Sequence, residues 1–171
     1  MRVILRNRKL RDMNAGKLFA QGCIAENLHA VSKKQLFQEM AELAIKCGTV
    51  DGDKVIVRDI VAAVTERERL GSTGVGYGVA IPHARLEGLD EVRAVFARLE
   101  TPLDYEAIDE RPVDLVVLLL APSGASSLHL KALAQVSRLL RREDIRERLR
   151  TAPTAEALHL LLSEDRTASA A

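Results

Sequence analysis

An almost unbroken apolar run of strand length, residues 113–121 (VDLVVLLLA), constrains the fold of this chain more than any other feature. A Pro-Ser-Gly sequence ends it. A strand that is apolar on both faces is typical of the centre of a sheet covered on both sides. Its strictly apolar part, Leu115 to Pro122, has eight residues, far short of the roughly 20 that a membrane-spanning helix needs. The run therefore predicts a central strand, and we expect no direct membrane insertion.

Patterns typical of helices and strands alternate along the rest of the chain. Residues 92–99 alternate between two faces and are predicted to form a second strand. Five segments are predicted to be helices: 32–47, 54–69, 126–142, 143–150 and 154–163. In the clearest of them the residues at helical spacing are Leu130, Leu133, Val136 and Leu140. This order of elements predicts a single α/β domain.

The balance of charge argues against nucleic acids and acidic membranes as partners. Of 171 residues, 25 are Lys or Arg and 24 are Asp or Glu, so the net charge is +1. This charge gives no electrostatic basis for binding polyanions. Three Phe, two Tyr and no Trp leave little material for stacking nucleic-acid bases. We therefore expect no nucleic-acid partner.

The two cysteines, Cys23 and Cys47, are isolated in the sequence. Neither a disulfide framework nor a metal site follows from such spacing. A reduced, cytoplasmic setting is the simplest interpretation. No pair of His, Cys or carboxylate residues has ligand-like spacing outside ordinary charged helices, so we expect no metal and no cofactor.

The first twelve residues differ in composition from the rest of the chain. Residues 1–12 hold five basic residues and one acidic residue, and they lack the apolar stretch of a secretory signal. We expect a disordered extension there, and the alternative is a basic arm that grips an acidic partner. The working domain is expected to span residues 13–165, followed by a frayed tail at 166–171.

Glycines crowd the segment 70–85, LGSTGVGYGVAIPHAR. Four of the eight residues in 71–78 are glycine, and such loops expose backbone N–H groups that can cradle anions. The alternative is a flexible surface turn. The known nucleotide motifs do not fit. Val79 stands where a dinucleotide fingerprint has its third glycine, and Val79 and Ala80 stand where a Walker A loop needs lysine followed by serine or threonine.

Three side chains near this segment could handle phosphate. His83 follows Pro82, which restricts the backbone, and an imidazole with a pKa of about 6.5 keeps one ring nitrogen free to attack at neutral pH. His129 begins a helix, where an anion is welcome and an imidazolium is not. Arg67 carries the forked guanidinium that suits phosphate. The alternatives are a structural histidine, an ordinary first-turn residue and a solvated arginine.

Three stretches of sequence together closely resemble the EIIA component of the phosphoenolpyruvate-dependent phosphotransferase system: GSTGVGYGVAIPHAR, ETPLDYEAIDERPVDLVVLLLAP and SSLHLKALAQVSRLL. The likeness is to the fructose/mannitol type and most of all to its nitrogen-regulatory branch, from about Met13 to Asp165. It implies a mixed β-sheet flanked by α-helices. It also implies a phosphoryl group carried on His83, with the tele nitrogen as candidate, and stabilised by His129 and Arg67.

The resemblance further implies a loop around the site that contains Gly74, Gly76 and Gly78. The residues by themselves leave open which nitrogen of His83 reacts. The implied donor is a nitrogen-related, HPr-like phosphocarrier protein, charged by Enzyme I from phosphoenolpyruvate. This would make the protein a phosphotransferase-type phosphoryl carrier.

Three functions fit this resemblance. The first is a phosphorylation-dependent regulator whose targets include potassium transport systems or sensor kinases. The second is an intermediate of fructose- or mannitol-type sugar uptake, which passes its phosphoryl group to an EIIB. The third is a binding scaffold that is not phosphorylated. The sequence shows no EIIB-like cysteine site and no membrane segment, which favours the regulator.

Overall fold

The computed structural model describes residues 15–164. In chain order, its elements are α1 (Ala15–Leu18), β1 (Phe19–Leu28), α2 (Lys33–Lys46), α3 (Val57–Arg69), β2 (Gly74–Gly76), β3 (Val79–Ala80), β4 (His83–Leu86), β5 (Arg93–Leu103), β6 (Val113–Pro122), α4 (Ser126–Arg141), α5 (Glu143–Thr151) and α6 (Ala155–Leu162). The expected extension at 1–12 and the expected tail at 166–171 lie outside the described residues.

The apolar run forms β6, the centre of a mixed sheet. The strand order is β1-β5-β6-β3-β2, and β4 also pairs with β6. β6 is antiparallel to β5 and parallel to β3 and β4, while β1 is parallel to β5. Every residue of β6 is buried except Asp114 and Pro122, which are partly exposed. The predictions of a central strand and of a mixed sheet flanked by helices are confirmed.

Two layers of helices enclose this sheet. The alternation in β5 sends Val95, Ala97 and Leu99 into one core and Ala94 and Phe96 into the other. Helices α2 and α3 cover the first core, and α4, α5 and α6 cover the second. Within residues 15–164, no helix is both long and apolar enough to cross a membrane.

The boundaries of α2 and α3 follow from local hydrogen bonds. Ser32 caps α2, its Oγ accepting the backbone N–H of Gln35 at 3.1 Å. The predicted start of the next helix at residue 54 is wrong, because α3 begins at Val57. The N–H groups of Lys54 and Val55 donate to the carbonyl of Asp51, which holds them in a turn. Ile56 precedes the helix and is half exposed.

The predicted apolar face of α4 is buried except at its start. Val136 and Leu140 are buried and Leu133 packs against the core, but Leu130 is 67% exposed, while His129 is only 8% exposed. The buried line runs through His129, Ala132 and Val136. Helical spacing alone fits either line, because neighbouring faces of a helix are both compatible with steps of three and four. The polar His129 thus occupies the place predicted for a leucine.

The two cysteines are not isolated in space. Cys23 in β1 and Cys47, which follows α2, form a disulfide with their Cα atoms 5.3 Å apart. The prediction of isolated cysteines is wrong, because α2 packs on the first strand and brings together residues 24 apart in sequence. The cysteines consequently no longer argue for a reduced compartment.

Candidate functional site

Three elements that are distant in sequence meet at one end of β4. This strand begins at His83, α3 carries Arg67 in its last turn, and α4 carries His129 in its first. Helix α3 packs on β4, which brings Arg67 to His83. The three side chains singled out in the sequence therefore lie together.

The two ring nitrogens of His83 have different partners. Nδ1 lies 2.8 Å from the carbonyl oxygen of Ile81, which can only accept, so the proton is on Nδ1. Nε2 accepts the Nε–H of Arg67 at 3.2 Å and keeps its lone pair. Partial burial lowers the pKa of His83, the bond to Ile81 raises it, and the charge of Arg67 lowers it again. The neutral ring therefore presents a nucleophilic Nε2.

His129 faces this ring from α4. The two ring centroids are 5.3 Å apart and the planes are inclined at 65°. Burial, together with the nearby charges of His83 and Arg85, lowers the pKa of His129 to about 4, so the ring is neutral near pH 7. Its buried Nε2 has no hydrogen-bond partner within the described part of the chain. An unpaired buried polar atom is costly and could be satisfied by an oxygen atom of a bound anion.

Two arginines line the site and retain unused donors. Arg67 donates from Nη1 to the carbonyl of Gly71 at 2.9 Å, besides its bond to His83. Arg85 donates from Nη1 to Ser126 Oγ, 2.7 Å away at the start of α4. Arg85 was not predicted to belong to the site, although residues two apart on a strand share a face and Arg85 is two residues after His83.

The glycine-rich segment is largely a β-hairpin rather than an open loop. β2 pairs antiparallel with β3, and Tyr77 (φ 58°) and Gly78 (φ 76°) form a tight turn between them. A Cβ on Gly74 would lie 2.6 Å from that of Ala107, so only glycine fits there. A Cβ on Gly76 would meet Asp109, and one on Gly78 would meet Arg150 and Asp114. These neighbours explain the three glycines by packing and turn geometry, apart from any contact with phosphate.

A buried polar network lies beside the site, and the sequence analysis missed it. The Glu68 carboxylate accepts bonds from the backbone and hydroxyl of Thr73, from Tyr105 OH at 3.3 Å and from Lys33 Nζ at 3.2 Å. Burial raises the pKa of Tyr105 well above its usual range. The one signal in the sequence is that Glu68 adjoins Arg67.

The other two histidines are remote from this arrangement. Nε2 of His159 lies 2.9 Å from the carbonyl oxygen of Phe19 and thereby ties α6 to the first strand. His29 is largely exposed and lies 3.6 Å from Glu100. Across residues 15–164, no group of three or more His, Cys, Asp or Glu residues could hold a metal ion.

The comparisons with known proteins agree with one another. A sequence profile of the family described as "Phosphoenolpyruvate-dependent sugar phosphotransferase system, EIIA 2" matches residues 17–165. A nitrogen regulatory protein of Bradyrhizobium diazoefficiens is 47% identical over 85% of this chain and 92% of its own length. A fructose-specific EIIA component of Haloferax volcanii is 34% identical over 78% of this chain and 84% of its own.

Comparison with a solved structure shows the same similarity at the level of the fold. The crystal structure of nitrogen regulatory protein IIA-Ntr from Neisseria meningitidis superposes with a TM-score of 0.78 at 33% identity. The match covers 86% of this chain and 97% of that one. The resemblance predicted from the sequence motifs is confirmed. The chain belongs to the EIIA type 2 family of the phosphoenolpyruvate-dependent sugar phosphotransferase system.

Proposed function

We propose that this protein is a phosphohistidine carrier that accepts a phosphoryl group on Nε2 of His83 from an HPr-like phosphocarrier. The observation that carries the proposal is the pairing of His83: Nδ1 donates to Ile81, and Nε2 is left as the nucleophile. Nε2 also lies beside a guanidinium, and the ring faces that of His129, whose buried Nε2 has no partner among the described residues. Phosphoryl transfer needs a nucleophile, a positive charge beside the transferred group and a hydrogen-bond donor for its oxygens, and these three groups can supply them.

The transfer step balances without a cofactor. The lone pair of His83 Nε2 attacks the phosphorus of the donor's phosphohistidine while the donor's P–N bond breaks. The electron pair of that bond returns to the donor imidazole. The His83 ring becomes more positive as the new N–P bond forms, so the hydrogen bond from Nδ1–H to Ile81 strengthens.

The surroundings of His83 suit the charge of the transferred group. Arg67 and Arg85 supply fixed positive charge, and the first turn of α4 adds the favourable end of a helix dipole. His129, neutral near pH 7, can carry its proton on Nε2 and donate it to a phosphoryl oxygen. Positioning and charge neutralisation of this kind account for most of the catalysis of phosphoryl transfer.

We propose that the carrier acts as a regulator in the cytoplasm. The nitrogen regulatory proteins among its relatives support this choice. Phosphorylation adds roughly −1.5 to −2 charge in hydroxyl cases, enough to switch a binding surface. Potassium transport proteins and sensor kinases are the proposed targets. The fructose-specific relative supports a second candidate, an intermediate that passes its phosphoryl group to an EIIB.

The deciding experiment measures intact mass after incubation with phosphoenolpyruvate, Enzyme I and a nitrogen-related HPr-like carrier. Wild type and His29→Ala, which alters an exposed histidine, should each gain one acid-labile phosphoryl group. His83→Ala should gain none. A gain in His83→Ala would refute the assignment. No gain in wild type, with the carrier active on a known EIIA, would favour the unphosphorylated scaffold.

Transfer to a purified sugar-specific EIIB separates the remaining two functions. Failure to pass the group on, with intact phosphorylation of His83, supports the regulator. Efficient transfer supports the sugar-uptake intermediate.

A further inference from the structure

Glu68 is a buried carboxylate next to the site that does not itself contact His83. Its side chain is only 7% exposed. It faces away from Arg67, its neighbour in the chain, because successive residues of a helix point about 100° apart. Thr73, Tyr105 and Lys33 supply the donors that surround it. Burying a charge is costly unless it is well paired, so a neutral residue would be the simpler choice for packing alone.

A chain of three hydrogen bonds connects this carboxylate to the reactive ring. The backbone N–H of Thr73 donates to the two oxygens of Glu68 at 3.0 and 3.2 Å. The backbone N–H of Ile81 donates to the carbonyl of Thr73 at 2.9 Å. Nδ1–H of His83 donates to the carbonyl of Ile81 at 2.8 Å. Each bond positions the acceptor of the next.

The first link determines where the rest of the chain lies. Residues 70–73 connect the end of α3 to β2 and belong to neither element. Glu68 anchors Thr73 through both its backbone and its hydroxyl, and Tyr105 binds the same hydroxyl at 2.8 Å. Losing the carboxylate would loosen Thr73, then Ile81, and with it the acceptor that keeps the His83 proton on Nδ1.

We infer that Glu68 is a positioning residue for His83: through Thr73 and Ile81 it holds the ring in the tautomer whose Nε2 carries no proton. The inference rests on the proposed function for its role in phosphoryl transfer, but the tautomer can be measured without any transfer. Two adjacent residues of α3 thus act on different nitrogens of the same imidazole. Arg67 contacts Nε2, and Glu68 acts on Nδ1 at a distance.

The test compares Glu68→Gln with Glu66→Gln. Glu66 lies on the same helix, is 70% exposed and pairs only with Arg69 within the described residues, so it is a matched control. Imidazole nitrogen NMR reports the tautomer of His83, and hydrogen exchange reports the Ile81 amide. Glu68→Gln should populate the Nε2–H tautomer and accelerate exchange at Ile81, while the Leu118 amide in β6 stays protected. Its phosphorylation should slow roughly tenfold, the scale of one hydrogen bond to a charged group.

Several outcomes would overturn the inference. A folded Glu68→Gln protein whose His83 keeps its proton on Nδ1 would do so, whether phosphorylation slows or not. If that variant does not fold, Glu68→Asp is used instead, because it keeps the charge but shortens the side chain by one methylene. A wild-type His83 tautomer together with wild-type hydrogen exchange at the Ile81 amide in Glu68→Asp would equally contradict the inference. If wild type is not phosphorylated but Glu68→Gln still shifts the tautomer of His83, the proposed function is refuted and the positioning role is supported.

Discussion

Two groups of arginines in this protein differ in what their guanidinium groups bind. Arg98 lies between the end of α5 and the first strand, and its guanidinium donates to four backbone carbonyls: Glu26, Leu149, Arg150 and Ala152. At the candidate site, Arg67 uses two N–H groups and Arg85 uses one. Their other N–H groups have no partner within residues 15–164.

The difference separates a structural cation from a binding one. Arg98 uses Nε and Nη1 to hold four backbone carbonyls, so its charge is committed to the chain. Arg146 is of the same kind, because it is only 6% exposed, its Nη1 donates to the carbonyls of Leu140 and Arg141, and it lies over the ring of Tyr77. Composition treats all these arginines alike, whereas their hydrogen bonds assign them different roles.

Removing an arginine that retains free donors should affect chemistry more than stability. Arg67→Ala is expected to slow phosphorylation of His83 by about 100-fold, the lower end of the loss when one charge-stabilising donor is removed. Arg67→Lys should recover only part of the rate, because an ammonium lacks the fork. Single-turnover phosphorylation by the HPr-like carrier measures this. A wild-type rate in Arg67→Ala would show that its free donors do not serve the phosphoryl group.

Removing Arg98, whose donors hold backbone carbonyls, should have the opposite effect. Arg98→Ala leaves the last carbonyls of α5 without a donor, and unfolding free energy should fall by about 2–3 kcal/mol, as expected for several lost charged hydrogen bonds. The remaining folded protein should be phosphorylated at the wild-type rate. Urea denaturation and the single-turnover assay at low temperature measure the two effects. A slow rate in well-folded Arg98→Ala would break the comparison.

The neutral His129 makes a prediction about pH. Its pKa is lowered to about 4 in the folded protein, whereas an unfolded histidine titrates near 6.5. Between these two pH values the unfolded chain binds a proton on His129 that the folded protein does not bind. Lowering the pH from about 6.5 to about 4 therefore favours the unfolded state. The free energy of unfolding should drop by roughly 3 kcal/mol over this window because of His129, since each unit of pKa difference corresponds to about 1.4 kcal/mol. His129→Gln should show a shallower drop, and an identical slope would contradict the buried neutral ring.

The sequence predicted those parts of the molecule that depend on local pattern. The apolar run of β6 requires a covered central strand whatever surrounds it. His83, Arg67 and His129 were identifiable because the resemblance rests on short contiguous motifs. The structure brings these three together, and their roles stay predictions until phosphorylation is measured.

The features that the sequence did not predict are long-range contacts. Nothing local links Glu68 to Tyr105, 37 residues away, or Cys23 to Cys47. The start of the buried face of α4 was misplaced for a related reason. Helical spacing fits two neighbouring lines of residues, and the packing partner decides which of them is buried. That error concealed how deeply His129 is buried, which is the basis of its lowered pKa.

The smallest expected effect concerns Arg85, the more exposed of the two site arginines. Arg85→Ala should slow phosphorylation by about threefold, since exposed charges contribute less than about 1 kcal/mol each. The effect should shrink at high salt, because exposed charges are screened. Arg138→Ala is the matched control and should leave the rate unchanged. Arg138 is exposed like Arg85, but it lies on α4, nine residues after His129. Equal effects of both substitutions would mean that general positive charge, rather than free donors beside His83, attracts the phosphoryl group.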